Sequence, residues 1–273
     1  KNKKKKKKKN TIIKYITVIK QKPNIKRTSK RSYQQNMTFQ VIKNKEICKD
    51  VQTLREKFWD NIVFLPNKKC LMEEIPEQIM AIKYIRPEDK VLEFGGSIGR
   101  NSCIINSILD EKKNHVVVEP SPVEIETLKK NRDANKLGFQ IENSALSMDP
   151  LFSVGWITSK KPSQGSIPVK TIDWRTFSNK YCIEFNTIVA DCEGSIVKVI
   201  DSFPEMLVSI QKIIIEHDFQ SQADLERFES QMENNKFVRS HVYLKSSHYA
   251  PGQGWTDGVL NDPVFVSFWE KKS

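Results

Sequence analysis

A few acids and one run of glycines carry the chemistry legible in this chain. Residues 91–100, VLEFGGSIGR, place Glu93 two positions before Gly95, with Gly96, Ser97 and Gly99 following. Glycines at such a turn take positive φ and let backbone approach a ligand with no Cβ in the way. The dinucleotide spacing GxGxxG is not met, and Glu93 beside a pyrophosphate would set anion against anion. A carboxylate is favourable beside a cation. Glu119, twenty residues after Gly99, is spaced to accept hydrogen bonds from two vicinal ribose hydroxyls, a role that would serve NAD equally well. S-adenosylmethionine combines a ribose with a sulfonium and an α-ammonium and has no phosphate, so it fits both acids. Further on, VADCEG (189–194) brings two carboxylates, Asp191 and Glu193, to a glycine.

These groups act together only if the chain sets them along one edge of a sheet. From Lys90 short apolar runs alternate with helical patterns, which predicts strand-helix-strand units and a mainly parallel sheet. KVLEF, HVVVE, FQIENSALS, TIVADCEG and KIIIEHD are the predicted strands, and the unbroken valines 116–118 suit burial on both faces. Ser121, Pro122 and Glu124 mark a helix start, with Gly138 past its end. SHVYL and VFVSFWE have no helical pattern between them and are expected to pair as a closing antiparallel hairpin. The expected fold is therefore α/β, Rossmann-like, on the class I methyltransferase plan: a mainly parallel seven-stranded sheet with helices on both faces. In such sheets ligands sit beyond the carboxyl ends of strands. Glu119-Pro120 falls at one such end, and Asn143, Ser144 and Ala145 at another, where they either flank an adenine or serve as ordinary loop. Helical segments are predicted near 51–59 and 76–85. The fold of the 148–168 insertion is not readable. The 245–262 connection, with Gly252, Gly254, Trp255 and Gly258, has the composition of a lid or of a disordered loop.

The formal charge of +12 is misleading. Residues 1–36 hold 15 of the 45 basic side chains and none of the 33 acidic ones, leaving 37–273 with 30 basic against 33 acidic, a formal −3. A run of one charge cannot bury enough apolar surface to fold, so 1–36 is expected to be a disordered tail or no part of the true chain; Met37 begins ordinary composition. The organisation expected is a basic tail (1–36), a helical lead-in (37–86) and a catalytic domain (87–273). No run is long and apolar enough to span a bilayer. The five cysteines show no CxxC or CxxxH spacing and read as free thiols of a reducing, cytoplasmic setting. Trp156, Trp174 and Trp269 are expected to pack, and His115, His241 and His248 suggest no metal geometry.

Six motifs in order, EFGGSIG, VVVEP, ENSALS, VKTIDW, DCEG and KIIIEHD, resemble the FkbM family of S-adenosylmethionine-dependent methyltransferases over roughly 76–272. The family more usually has Asp at Glu93 and Asn or Gly at Ser97. The resemblance implies methyl transfer to a hydroxyl of a sugar or other small-molecule or glycan acceptor. A base that takes the hydroxyl proton assists such a transfer; Asp191 is first in line because the fourth strand tip faces the methyl group in this fold class, then His217, then Glu193. Asp191 and Glu193 could also hold a divalent cation, but the spacing shows no third ligand and no metal is expected. Two other readings stay open: a catalytically silent cofactor-binding module, and an RNA methyltransferase or nucleic-acid-binding protein using the basic arm. The body has no basic stripe with interleaved aromatics, so no nucleic-acid partner is expected for it. Oligomeric state has no signal.

Overall fold

The computed structural model describes residues 39–245 and 263–272. The basic run 1–36, His248 and the glycine-bearing connection, save Lys245, lie outside the described residues. A two-residue strand β1 (Gln40–Val41) leads into α1 (Asn44–Leu54), a π-helical turn over Arg55–Trp59, a short α2 (Lys68–Leu71) and α3 (Ile75–Tyr84). Then come β2 (Val91–Phe94), α4 (Arg100–Ile108), β3 (His115–Val118), α5 (Glu124–Ala134) and β4 (Gln140–Glu142). A β-rich insertion follows, with β5 (Ala145–Leu146), β6 (Leu151–Val154), β7 (Ile157–Ser159), β8 (Ile167–Val169) and β9 (Thr171–Ile172). The chain continues through α6 (Trp174–Tyr181), β10 (Thr187–Ala190), α7 (Ile196–Ser202), β11 (Lys212–Glu216), α8 (Gln222–Asn234), β12 (Phe237–Leu244) and β13 (Val264–Lys271).

The main sheet runs in the order β4-β3-β2-β10-β11-β13-β12-β1. Strands β4 to β11 are parallel, and β13 enters antiparallel between β11 and β12. This is the class I methyltransferase plan, with one correction: β1 pairs with β12, so the sheet has eight strands rather than seven. Two residues leave no alternation to read. FQIENSALS, expected as one strand, divides; β4 stays in the main sheet and β5 leaves it to pair with β9. The 148–168 insertion contributes a three-stranded antiparallel sheet, β7-β6-β8. Helix α5 starts at Glu124 rather than Pro122, although Ser121 Oγ still accepts the Glu124 N–H at 3.3 Å. The backbone reverses at Lys136 (φ 53°), ahead of Gly138.

Alternation along the strands sorts side chains onto two cores. Val91, Val117, Val189 and Ile214 face one layer, with Ile47, Ile79, Met80, Ile104, Ile105 and Leu128 from α1, α3, α4 and α5. Leu92, Val116, Ile188, Ile213 and Ile215 face the other, with Phe177, Val197, Ile200, Phe228 and Met232 from α6, α7 and α8. Burying each such large side chain contributes about 1.5–3 kcal/mol. From β2 the chain crosses through α4 towards β3, and from β10 through α7 towards β11, in the opposite direction along the sheet. The carboxyl ends of β2 and β10, neighbours in the sheet, therefore open a crevice between diverging connections.

The lead-in belongs to this core. Ile47, Leu54, Trp59, Ile62, Phe64 and Leu71 join the cluster that contains Val91 and Val117. Asn131 of α5 fastens it: its Oδ1 accepts from Leu65 N at 2.7 Å, and its Nδ2 donates to Leu65 O at 3.1 Å and Ile98 O at 2.8 Å. Asn131→Ala leaves these backbone groups without that partner, at about 1–3 kcal/mol for each that water does not reach. We expect it to lower unfolding free energy by about 2–4 kcal/mol in urea titrations; a loss under about 0.5 kcal/mol would mean that the lead-in is held by apolar packing alone.

Candidate functional site

The glycine turn closes against the tip of β10. Gly95 adopts φ +84°, and a Cβ built there would lie 1.6 Å from Asp191 O. Only glycine lets the two strand ends pass at this distance, and Asp191 N–H donates to Phe94 O at 3.0 Å to hold them together. At Gly96 a Cβ would fall 2.2 Å from Val117 Cγ1, so this glycine lets the turn settle onto β3. Gly99 caps α4.

Glu119, at the end of β3, is 5% exposed. Its Oε2 accepts the Ser97 N–H at 2.6 Å and its Oε1 accepts the Ser121 N–H at 2.7 Å. One carboxylate thus bridges the turn after β2 and the turn after β3. A carboxylate offers about four acceptor sites, which leaves one on each oxygen for a hydroxyl donor. Burial raises its pKa, and the two amide hydrogen bonds work against that rise. The Ser97 N–H, which a phosphate would seek at a glycine turn, is already given to an anion.

A cleft of about 810 Å³ crosses these strand ends. Gly95, Ser97, Glu119, Pro120, Ala145, Asp191 and Glu193 all line it. So do Glu77 of α3 and Glu216 of β11, neither of which sequence reasoning singled out. Strand alternation explains the gathering: Val189 and Ile214 face the α3 side, so Asp191 and Glu216, two residues further along each strand, face it as well. One ligand oxygen each from Glu77, Asp191 and Glu216 lies within 4.8 Å of the others. Asp191 and Glu216 share a hydrogen bond. Burial is the main cause raising the pKa of Glu77, Asp191 and Glu216, and mutual repulsion adds to it for Glu77 and Glu216. Glu74, half-buried, is pushed up to about 8 by desolvation and by Asp191 even though Arg100 opposes the shift. Arg100 reaches Glu73 at 2.9 Å, Glu74 at 3.3 Å and Cys70 O at 2.9 Å, tying the lead-in to the cleft wall.

Other expected site residues stand behind the wall. Glu93 is 2% exposed and its Oε2 lies 2.8 Å from His115 Nε2, beneath the cleft. Asn143 donates to Glu119 O at 2.9 Å and Ser144 to Glu142 at 2.8 Å, so both brace the strand ends while Ala145 meets the cleft. His217 is buried, with Nε2 2.7 Å from Ser267 Oγ. It follows Glu216 by one residue and so turns to the opposite face. Glu193 sits at φ 53° on the cleft's edge, its pKa raised by burial and by Asp191. Trp269 packs edge-on to Phe228, as expected, whereas Trp156, expected to pack, is 73% exposed at the β6–β7 turn on the cleft's rim.

No family model matches the chain, and no curated protein matches it. Among the described residues, no helix is long and apolar enough to cross a membrane. Solved structures with a related course of chain include the ribosomal protein L11 methylase of Lactobacillus delbrueckii subsp. bulgaricus, at TM-score 0.44 and 11% identity, covering 72% of this chain and 77% of that one. An rRNA methylase of Streptococcus thermophilus reaches 0.43 at 7% identity, covering 72% and 94%. The tRNA (m1A58) methyltransferase of Aquifex aeolicus reaches 0.40 at 14% identity, covering 72% and 68%. All three are distant likenesses, and none identifies a family for this chain.

Proposed function

We propose that the chain is an S-adenosylmethionine-dependent methyltransferase that methylates a hydroxyl of a sugar or other small-molecule or glycan acceptor. The observation that carries the reading is the charge of the cleft. In the glycine turn the Ser97 amide is occupied by Glu119, and Glu77, Asp191, Glu193 and Glu216 line the cleft. A dinucleotide brings two negative phosphates into that field; S-adenosylmethionine brings a sulfonium and an ammonium. The free acceptor sites of Glu119 suit the ribose hydroxyls, and Ala145, on the lining of the same cleft, suits an adenine edge. The FkbM-like order of motifs supports the choice of an oxygen acceptor.

Methyl transfer needs donor sulfur, methyl carbon and acceptor oxygen held in line, and this positioning supplies most of the acceleration. As the methyl moves, the sulfonium charge disappears and the acceptor hydroxyl loses its proton. Asp191, on the cleft floor between the ends of β2 and β11, is the group proposed to receive it. A nucleic-acid acceptor would carry its phosphates past the same acids, which disfavours the RNA reading.

The test is calorimetry of the full chain with S-adenosylmethionine and S-adenosylhomocysteine. Both are expected to bind, and Glu119→Ala to weaken both by about a hundredfold or more, since it removes two ribose bonds and unties Ser97 and Ser121. Binding of NAD in place of both nucleosides would overturn the assignment. Methylation of RNA but not of hydroxylated small molecules would replace the acceptor.

A further inference from the structure

We propose that Glu77, Asp191 and Glu216 form a binding site for one divalent cation of the magnesium or manganese type. Three observations carry it. The three ligand oxygens converge within 4.8 Å of one another, one from a helix and two from adjacent strand ends, so the arrangement is fixed by the main fold rather than by a loop. Glu77 is 4% exposed, and its Oε2 is buried with no hydrogen-bond partner. An orphaned buried carboxylate oxygen is costly and calls for a ligand. Arg100, the cation whose charge bears on Asp191, does not fill that place, being committed to Glu73, Glu74, Ser97 Oγ and the Cys70 carbonyl. Three acids are thereby left facing one another, with a side-chain hydrogen bond between Asp191 and Glu216.

The donor set names the class of ion. All three ligands are carboxylate oxygens, which select hard cations over zinc or copper. All three line the cleft, so the ion keeps outer positions for water or for an acceptor oxygen. Glu193, the second acid of the DCEG motif, is not part of the triad; the third ligand that spacing could not show comes from α3. On the methyltransferase reading, to which this adds, a hydroxyl bound to the ion would ionise more readily, its proton passing to the Asp191 oxygen that is not on the ion. Cation binding itself requires neither donor nor acceptor.

The experiment is titration of the full, chelator-stripped chain with Mn²⁺ alone, following the loss of the free-ion paramagnetic resonance signal. One saturable site is expected, with a Kd in the micromolar to low millimolar range. Glu77→Gln should weaken it by about tenfold or more, while Glu193→Gln changes it less than about twofold. Thermal unfolding separates ligand loss from misfolding: metal-free Glu77→Gln should melt at or above the wild-type temperature, since it removes a carboxyl buried against two others. Mn²⁺ should raise the melting temperature of the wild type and not of the variant. No saturable binding to the wild type, or equal binding by Glu77→Gln, overturns the proposal. S-adenosylhomocysteine calorimetry on the same samples distinguishes the two readings, because donor binding without Mn²⁺ binding defeats only this one.

Discussion

Gly95→Ala is expected to destabilise the chain by about 2–5 kcal/mol and to abolish binding of S-adenosylmethionine. The methyl group would lie 1.6 Å from Asp191 O and 2.7 Å from Asp191 C, both backbone atoms that no rotamer change can move. Positive φ adds about 1–2 kcal/mol for any side chain, and forced overpacking typically costs about 1–3 kcal/mol more. Relief requires the tips of β2 and β10 to part, which moves Ser97 away from Glu119 and opens the crevice floor. Gly155→Ala is the control. It also sits at positive φ (57°), but a Cβ there meets nothing within 4 Å, so a loss of about 1 kcal/mol with retained binding is expected. Equal effects of the two substitutions, by urea unfolding and calorimetry, would show that backbone strain and not the β2–β10 approach makes glycine necessary at 95.

Asp191→Asn should lower kcat for methyl transfer by about 10²–10⁴-fold while leaving the Kd for S-adenosylhomocysteine within about threefold. Asparagine keeps the size of the side chain, and the backbone bond from Asp191 N–H to Phe94 O does not depend on the side chain, so the frame of the donor site persists. What is lost is the negative charge beside Glu77 and Glu216. Release of S-adenosylhomocysteine in the presence of a panel of hydroxylated acceptors gives the rate. Turnover of a responsive acceptor by Asp191→Asn at the wild-type rate would exclude any chemical role for the residue. The silent-module reading would gain if every cellular effect of the chain also survived the substitution.

The strands were legible because their signals are local. HVVVE and KIIIEHD form buried parallel strands, as their unbroken apolar centres require. Glycine spacing and the acids at strand tips pointed to the edge of the sheet along which the cleft runs. Which acid faces the ligand was harder to read, because a single step along a strand reverses the side chain. His217 stands second among the candidate bases by sequence, yet its neighbour Glu216 has the parity of Ile214 and enters the cleft. Glu93 carried the right charge, but its partner His115 lies on the adjacent strand, and pairing of Val91 with His115 is a fact of register that no local pattern states. Glu77 was hidden for a different reason. Helix α3 is covered over much of its girth, with Glu77 and Gln78 buried beside Ile79, Met80 and Ala81, and an apolar stripe along a helix says nothing of an acid buried beside it.

Glu119 ties two turns with one side chain. The frame proposed to receive a nucleoside is thus held by bonds of the chain itself, so that association would cost little ordering entropy. In a methyl-transfer cycle the spent nucleoside would leave by exchanging its hydroxyls for water on the outer lone pairs of that carboxylate. The backbone need not reopen between rounds, so recharging the protein is a matter of diffusion rather than of rebuilding its binding wall.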